Sequence, residues 1–201
     1  MAYASWVTPN KTSGSGNDTV SWTGTSHTGR TARSTTATFS ASGVESKTLT
    51  INQAGKTEFV SIDATASVSK SGGTVTISGT SNSSKLTFSL TGTNGIGLTL
   101  PSTYTANSAS TSNGAAITGD PGATQQYAFS ITFSNIAENT SISSLTSQVT
   151  VTANGAQTAT CDVTQAAGDA YLTISPTSIS LTAAGTAVSV SVTSNTSWTV
   201  S

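Results

Sequence analysis

The chain has 201 residues, of which 7% are charged, with a net charge of −1, one cysteine and one histidine. A surface so weakly charged offers no electrostatic footprint for nucleic acid or an anionic membrane, and a single cysteine excludes an intramolecular disulfide and a multi-cysteine metal site. Ser and Thr interleaved with Val, Ile, Leu and Phe set the character of the chain, a composition suited to antiparallel sheets with one wet face.

The first residues, MAYASWVTPN, carry neither a basic stretch nor an apolar run. No secretion signal is expected, so the reading is of a protein made and assembled in a cytoplasm. No stretch approaches the roughly 20 apolar residues that span a bilayer. Apolar residues at every second position recur as TLTI at 48–51, TVTIS at 74–78, KLTFSL at 85–90, YAFSITF at 127–133, QVTVTA at 148–153 and AVSVSVT at 187–193. Period-two alternation predicts strands with one face in a core. Turn residues punctuate them at Ser42-Gly43, Ser71-Gly72-Gly73, Asn94-Gly95, Asp120-Pro121-Gly122, Asn154-Gly155 and Ala184-Gly185. With no helical stripe between them, these strands predict an all-β protein of tandem immunoglobulin-like sandwiches.

An internal repeat organises the strands. TLTINQAG at 48–55 returns as TCDVTQAAG at 160–168, so Gln53 and Gln165 stand 112 residues apart. Ala41 and Ala153, Gly43 and Gly155, Phe59 and Tyr171, and Gly73 and Gly185 share that spacing. After one inserted residue, TVTISGTSN at 74–82 aligns with TAVSVSVTSN at 186–195. Residues 59–168 then form a complete sandwich. Residues 1–55 match the later part of a unit and residues 171–201 its first strands. Each of these pieces alone would carry half a core and an open sheet edge.

Read as one unit, 171–201 followed by 1–55 places Ser194-Asn195 and Trp198 ahead of Trp6, Pro9, the Ser13-Gly14-Ser15-Gly16 turn, Arg33 and the closing Gln53-Ala54-Gly55. That composite resembles the BACON domain, an immunoglobulin-like module of Bacteroidetes proteins and of crAss-like phages of those hosts. The resemblance implies either a virion protein, in particular a capsid auxiliary protein, or a carbohydrate-binding module directed at mucin glycans. The middle unit keeps the closing strand but has Lys85 in the place of Trp198 and no counterpart of Trp6 or Arg33.

The residues expected to carry assembly are Tyr171, Leu172, Ile174, Ile179, Leu181, Val188, Val190, Val192 and Trp198 of the donated segment, with Trp6 and Trp22 on the receiving part. They would join a neighbouring copy head to tail by strand donation, or close within one chain. Trp6 and Trp22 are also the candidate sugar-stacking platform, although core positions are the plainer reading for two of the three tryptophans. Trp22 follows Val20 at strand spacing and should share its face. His27 is read as an exposed loop residue. With no second histidine and no G-x-S-x-G elbow, a hydrolytic triad has no support.

The aspartates Asp18, Asp63, Asp120, Asp162 and Asp169 form no calcium loop and are read as turn-forming or solvated. Glu45, Glu58 and Glu138 are isolated in sequence, Arg30 and Arg33 read as structural ion-pair or backbone contacts, and Cys161 as a small core residue. The sequons at Asn10, Asn17, Asn82, Asn139 and Asn195 read as chance matches. The expected function is thus a non-enzymatic virion structural protein without cofactors, a capsid auxiliary or decoration protein of a tailed phage. Its expected partners are its own copies, the major capsid or other virion proteins and, in the rival reading, glycans.

Overall fold

A computed structural model describes residues 3–201, and no helix occurs among them. Two short ladders open the chain. The first pairs β1 (Val7–Pro9) with β2 (Trp22–Gly24). The second pairs β3 (Arg33–Phe39) with β4 (Lys47–Gln53), closed by the predicted turn, where Gly43 takes φ 81°. The protein is all-β, as the alternation predicts.

Nine strands follow: β5 (Val60–Ile62), β6 (Thr65–Val68), β7 (Gly73–Ser81), β8 (Leu86–Thr91), β9 (Thr103–Ala106), β10 (Ala109–Ser112), β11 (Tyr127–Ile136), β12 (Leu145–Ala153) and β13 (Thr158–Gln165). They form two sheets, ordered β10-β9-β11-β7-β5 and β6-β13-β12-β8. Every pairing is antiparallel except β13 with β6. Alternate residues of each strand point between the sheets: Ile77, Leu86, Phe88, Ile131, Phe133, Val149, Val151, Cys161 and Val163 are all essentially inaccessible to solvent. Each such large side chain stabilises the fold by about 1.5–3 kcal/mol relative to exposure. The strands in this middle unit lie where the period-two runs place them.

The last ladder pairs β14 (Leu172–Ser175) with β15 (Ser191–Ser194). The expected strand over 187–193 is shortened, so Val188 and Val190 fall outside it. In the middle unit β7 is gripped on both sides, by β5 and β11. β15 has β14 alone, and the unsupported half of the run does not pair.

The contacts repeat as the sequence does. β3 on β4 places Arg33 opposite Gln53, and β12 on β13 places Leu145 opposite Gln165, each residue 112 later. Gln53 Nε2 donates to Thr25 O at 2.9 Å and Gln165 Nε2 to Ala137 O at 2.8 Å, again 112 apart. The C-terminal ladder copies β5 and β7 in the same way. Asn82 Oδ1 accepts from Phe59 N (2.8 Å) and its Nδ2 donates to Thr57 O (3.1 Å). Asn195 does the same with Tyr171 N (3.0 Å) and Asp169 O (2.9 Å). Ser81 Oγ donates to Phe59 O and Ser194 Oγ to Tyr171 O.

One detail of the alignment changes. Gly72 N donates to Ser69 O and Gly185 N to Thr182 O, so Gly185 is the counterpart of Gly72, not of Gly73. The inserted residue therefore lies before this turn. Ile179 then answers Ala66, Leu181 answers Val68, and Val188 and Val190 answer Val75 and Ile77.

Candidate assembly surface

The strongest site in the molecule is a pair of uncovered faces, because the same repeat positions are buried in the middle unit. Leu49 on β4 is 38% exposed where Cys161 on β13 is 0%, and Phe39 on β3 is 44% exposed where Val151 on β12 is 0%. Beside Phe39, a cavity of about 390 Å³ opens between Tyr3, Val20, Trp22, Ala37 and the Lys11–Asp18 ion pair. Val20 and Trp22 do share this face, as their spacing predicts. Trp22 meets Tyr3 edge-on at 5.0 Å and Phe39 at 6.5 Å between ring centroids.

The second face belongs to residues 171–201. Tyr171, Leu172, Ile174, Ile179, Leu181, Val188, Val190 and Trp198 are all exposed, and Val192 is half-buried. Leu181 is 63% exposed, against 4% for its counterpart Val68. Within one chain neither β14 nor β15 pairs with any of β1–β4. So many exposed apolar side chains on one segment are unusual on a soluble monomer and point to an interaction site.

The tryptophans sort differently. Trp6 is half-buried and its ring carries the Arg33 guanidinium, 4.5 Å from the centroid. Arg33 also donates to Gln53 Oε1 (2.9 Å) and Thr25 O (3.0 Å), a structural role matching its expectation. Trp22 is half-buried and Trp198 is 49% exposed, so none of the three is a fully buried core residue in the single chain.

Two expectations are corrected. His27 is half-buried and holds a turn: its Nε2–H donates to Thr31 O at 2.7 Å, and Nδ1 accepts from Gly29 N at 3.4 Å. Glu58, isolated in sequence, is 5% exposed and fully engaged. Its carboxylate accepts from Ser83 Oγ (2.9 Å), Ser84 N (3.2 Å) and Gly155 N (2.7 Å), and Arg30 Nε lies 3.1 Å away.

Arg30 is the centre of the joint between β4 and β5. Its guanidinium donates to both carboxylate oxygens of Asp120 (2.6 and 2.9 Å) and to Asn82 O (2.6 Å). The hydrogen bonds from Arg30 hold the Asp120 carboxyl below the usual carboxylate range, and Asp120 in turn raises Arg30. Asp120 is thus a joint residue rather than only a turn former. Asp63 accepts from Ser78 N, Asp162 from Gln148 Nε2, and Asp169 pairs with Lys70 at the surface. Asn82 and Asn139, matched as sequons, are buried and hydrogen-bonded.

Burial pushes the Cys161 thiol up to about 11, which suits an inert core residue rather than a nucleophile. Among the described residues no group of three or more His, Cys, Asp or Glu side chains could hold a metal ion. What the arrangement leaves uncovered is apolar surface on β3, β4 and residues 171–201. No family model matches the chain, and neither a curated protein nor a solved structure shows significant similarity to it.

Proposed function

We propose that this chain is a non-enzymatic structural protein of a tailed-phage virion, a capsid auxiliary protein whose immunoglobulin-like sandwiches are linked by strand donation between copies. The observation that carries the assembly part is the strand-for-strand match between two uncovered pieces and the intact sandwich lying between them. β3 and β4 repeat the register of β12 and β13, while β14 and β15 repeat that of β5 and β7. Half a sandwich leaves its apolar face and its edge unsatisfied, and an added strand satisfies both at once. The BACON-like marks around Trp198, Trp6 and Arg33 support placement in a virion.

The glycan-binding reading finds less support. A sugar platform needs a free aromatic face, and Trp6 stacks under Arg33 while Trp22 sits between Tyr3 and Phe39.

The test compares the full chain with a variant lacking residues 171–201. By light scattering the full chain is expected to assemble with rising concentration, whereas the shortened chain stays monomeric and loses structure in its first 55 residues. A shortened chain that assembles as before would sink the donation reading. Antibodies to the chain should co-sediment with intact phage particles, and their exclusive recovery in the unassembled fraction would remove the virion assignment.

A further inference from the structure

Resting on the donation reading above, we infer that residues 178–201 of a second copy seat on the N-terminal part in the register of β6–β8 on the middle sandwich. Residues 178–181 run parallel to β4, with Ile179 opposite Ile51 and Leu181 opposite Gln53. Residues 199–201 run antiparallel along the outer edge of β3, with Thr199 opposite Ala41.

The template is the intact unit. There β6 runs parallel to β13, with Ala66 opposite Val163 and Val68 opposite Gln165. β8 runs antiparallel to β12, with Leu86 opposite Ala153 and Phe88 opposite Val151. The receiving strands map onto β12 and β13 at an offset of 112, and the donor maps onto β6–β8 at 113, an offset set by the Gly72 and Gly185 turns and by the Asn82 and Asn195 contacts.

Side-chain volumes agree with this seating. The pair Phe88 and Val151 becomes Ser201 and Phe39, so the large residue moves from the donor to the receiver and the layer stays filled. Gly79 is a second case: a Cβ there would stand 2.4 Å from the Phe129 ring and 2.2 Å from Ser61 O. Its counterpart in the donor is Val192, and the receiver has no aromatic anywhere in residues 10–21, the stretch leading into β2. The stretch thus lacks a counterpart of the Phe129 ring, one of the two contacts that crowd Gly79.

The occupant is a second copy rather than the same chain. Arg30 ties the N-terminal part to the middle unit through Asn82, Glu58 and Asp120, which holds the joint against the fold-back that self-closure needs. The donor is also prepared in advance. Its β14–β15 ladder and the Ser194 and Asn195 contacts already have the geometry of the intact unit, so less ordering is left to binding.

Cysteine cross-linking reads the register directly. Ala153 N donates to Gln157 O, away from β8, so Leu86 and Ala153 form a non-hydrogen-bonded pair with closely spaced side chains. An Ala41→Cys chain mixed with a Thr199→Cys chain should therefore give a disulfide-linked dimer under mild oxidation. The native Cys161 is buried and stays silent. A Ser40→Cys chain in place of Ala41→Cys presents its thiol on the opposite face and should link at least about tenfold more slowly.

Equal or faster linking through Ser40→Cys overturns the register, as does no linking by either pair in a mixture that still assembles. Both leave strand donation standing. A chain carrying Ala41→Cys and Thr199→Cys together that links only within itself overturns the second copy as occupant. Assembly that survives removal of 171–201 overturns the donation reading itself.

Discussion

His27 and Asn139 occupy the same repeat position and hold the same turn with different chemistry. Asn139 Nδ2 donates to Ser143 O (2.9 Å) and its Oδ1 accepts from Ser141 N (3.0 Å), where His27 uses its two ring nitrogens toward Thr31 O and Gly29 N. His27→Asn should therefore leave the unfolding midpoint of the N-terminal part unchanged, while His27→Ala should cost about 1–2 kcal/mol for two lost hydrogen bonds. Chemical denaturation followed by tryptophan fluorescence in a Trp198→Phe background reads this, since Trp6 and Trp22 then report on that part alone. Equal losses in both variants would mean that the ring packs rather than bonds. The role was invisible in the residue itself, because both partners are backbone groups. Only the 112-residue offset to Asn139 carried the signal.

At the scale of elements, Asn82 and Asn195 make the same contacts in very different surroundings. Asn82 is buried, and beyond the contacts shared with Asn195 it donates to Ala123 O at 2.9 Å. Asn82→Ala should lower the stability of the middle sandwich by roughly 2–4 kcal/mol, through unpaired buried groups at Phe59, Thr57 and Ala123. Asn195 stands on a two-stranded ladder, which is marginal on its own. Asn195→Ala should leave the main thermal transition in place and speed amide exchange at Leu172–Ser175 instead. A fall in the main transition with Asn195→Ala would show that residues 171–201 are already part of a cooperative core. The strands themselves were legible because period two survives wherever both sheet faces are present. It misjudged Val188 and Val190, whose pairing depends on a neighbour that local sequence does not encode. It also missed Glu58, whose partner Gly155 lies 97 residues away.

At the scale of the whole molecule, the two joints differ in stiffness because their residues differ. At the first, Arg30 bridges Asp120, Glu58 and Asn82, of which Glu58 and Asn82 are buried. At the second, the positions of Arg30 and Glu58 are taken by Ile142, which is exposed, and Ala170, leaving the solvent-exposed Lys70–Asp169 pair. Exposed pairs contribute little. Residues 3–55 and 59–168 should therefore tumble together in nitrogen-15 relaxation, with 171–201 moving faster in the unassembled chain. Asp120→Asn should separate the first two correlation times and leave the melting of the middle sandwich nearly unchanged, at a cost of about 1 kcal/mol in coupling. The pH dependence follows from the lowered Asp120 carboxyl. Its contribution is complete above the unfolded value of about 4 and is lost as pH falls through the lower folded value. Acidification through that lowered value should thus loosen the joint more in the wild type than in Asp120→Asn. On the proposed strand donation, in which a stiff first joint directs 171–201 outward to another copy, the same acid step should let that segment reach back within its own chain. Growing assemblies would then convert into closed monomers, and light scattering across that pH range tests whether the joint governs the mode of closure.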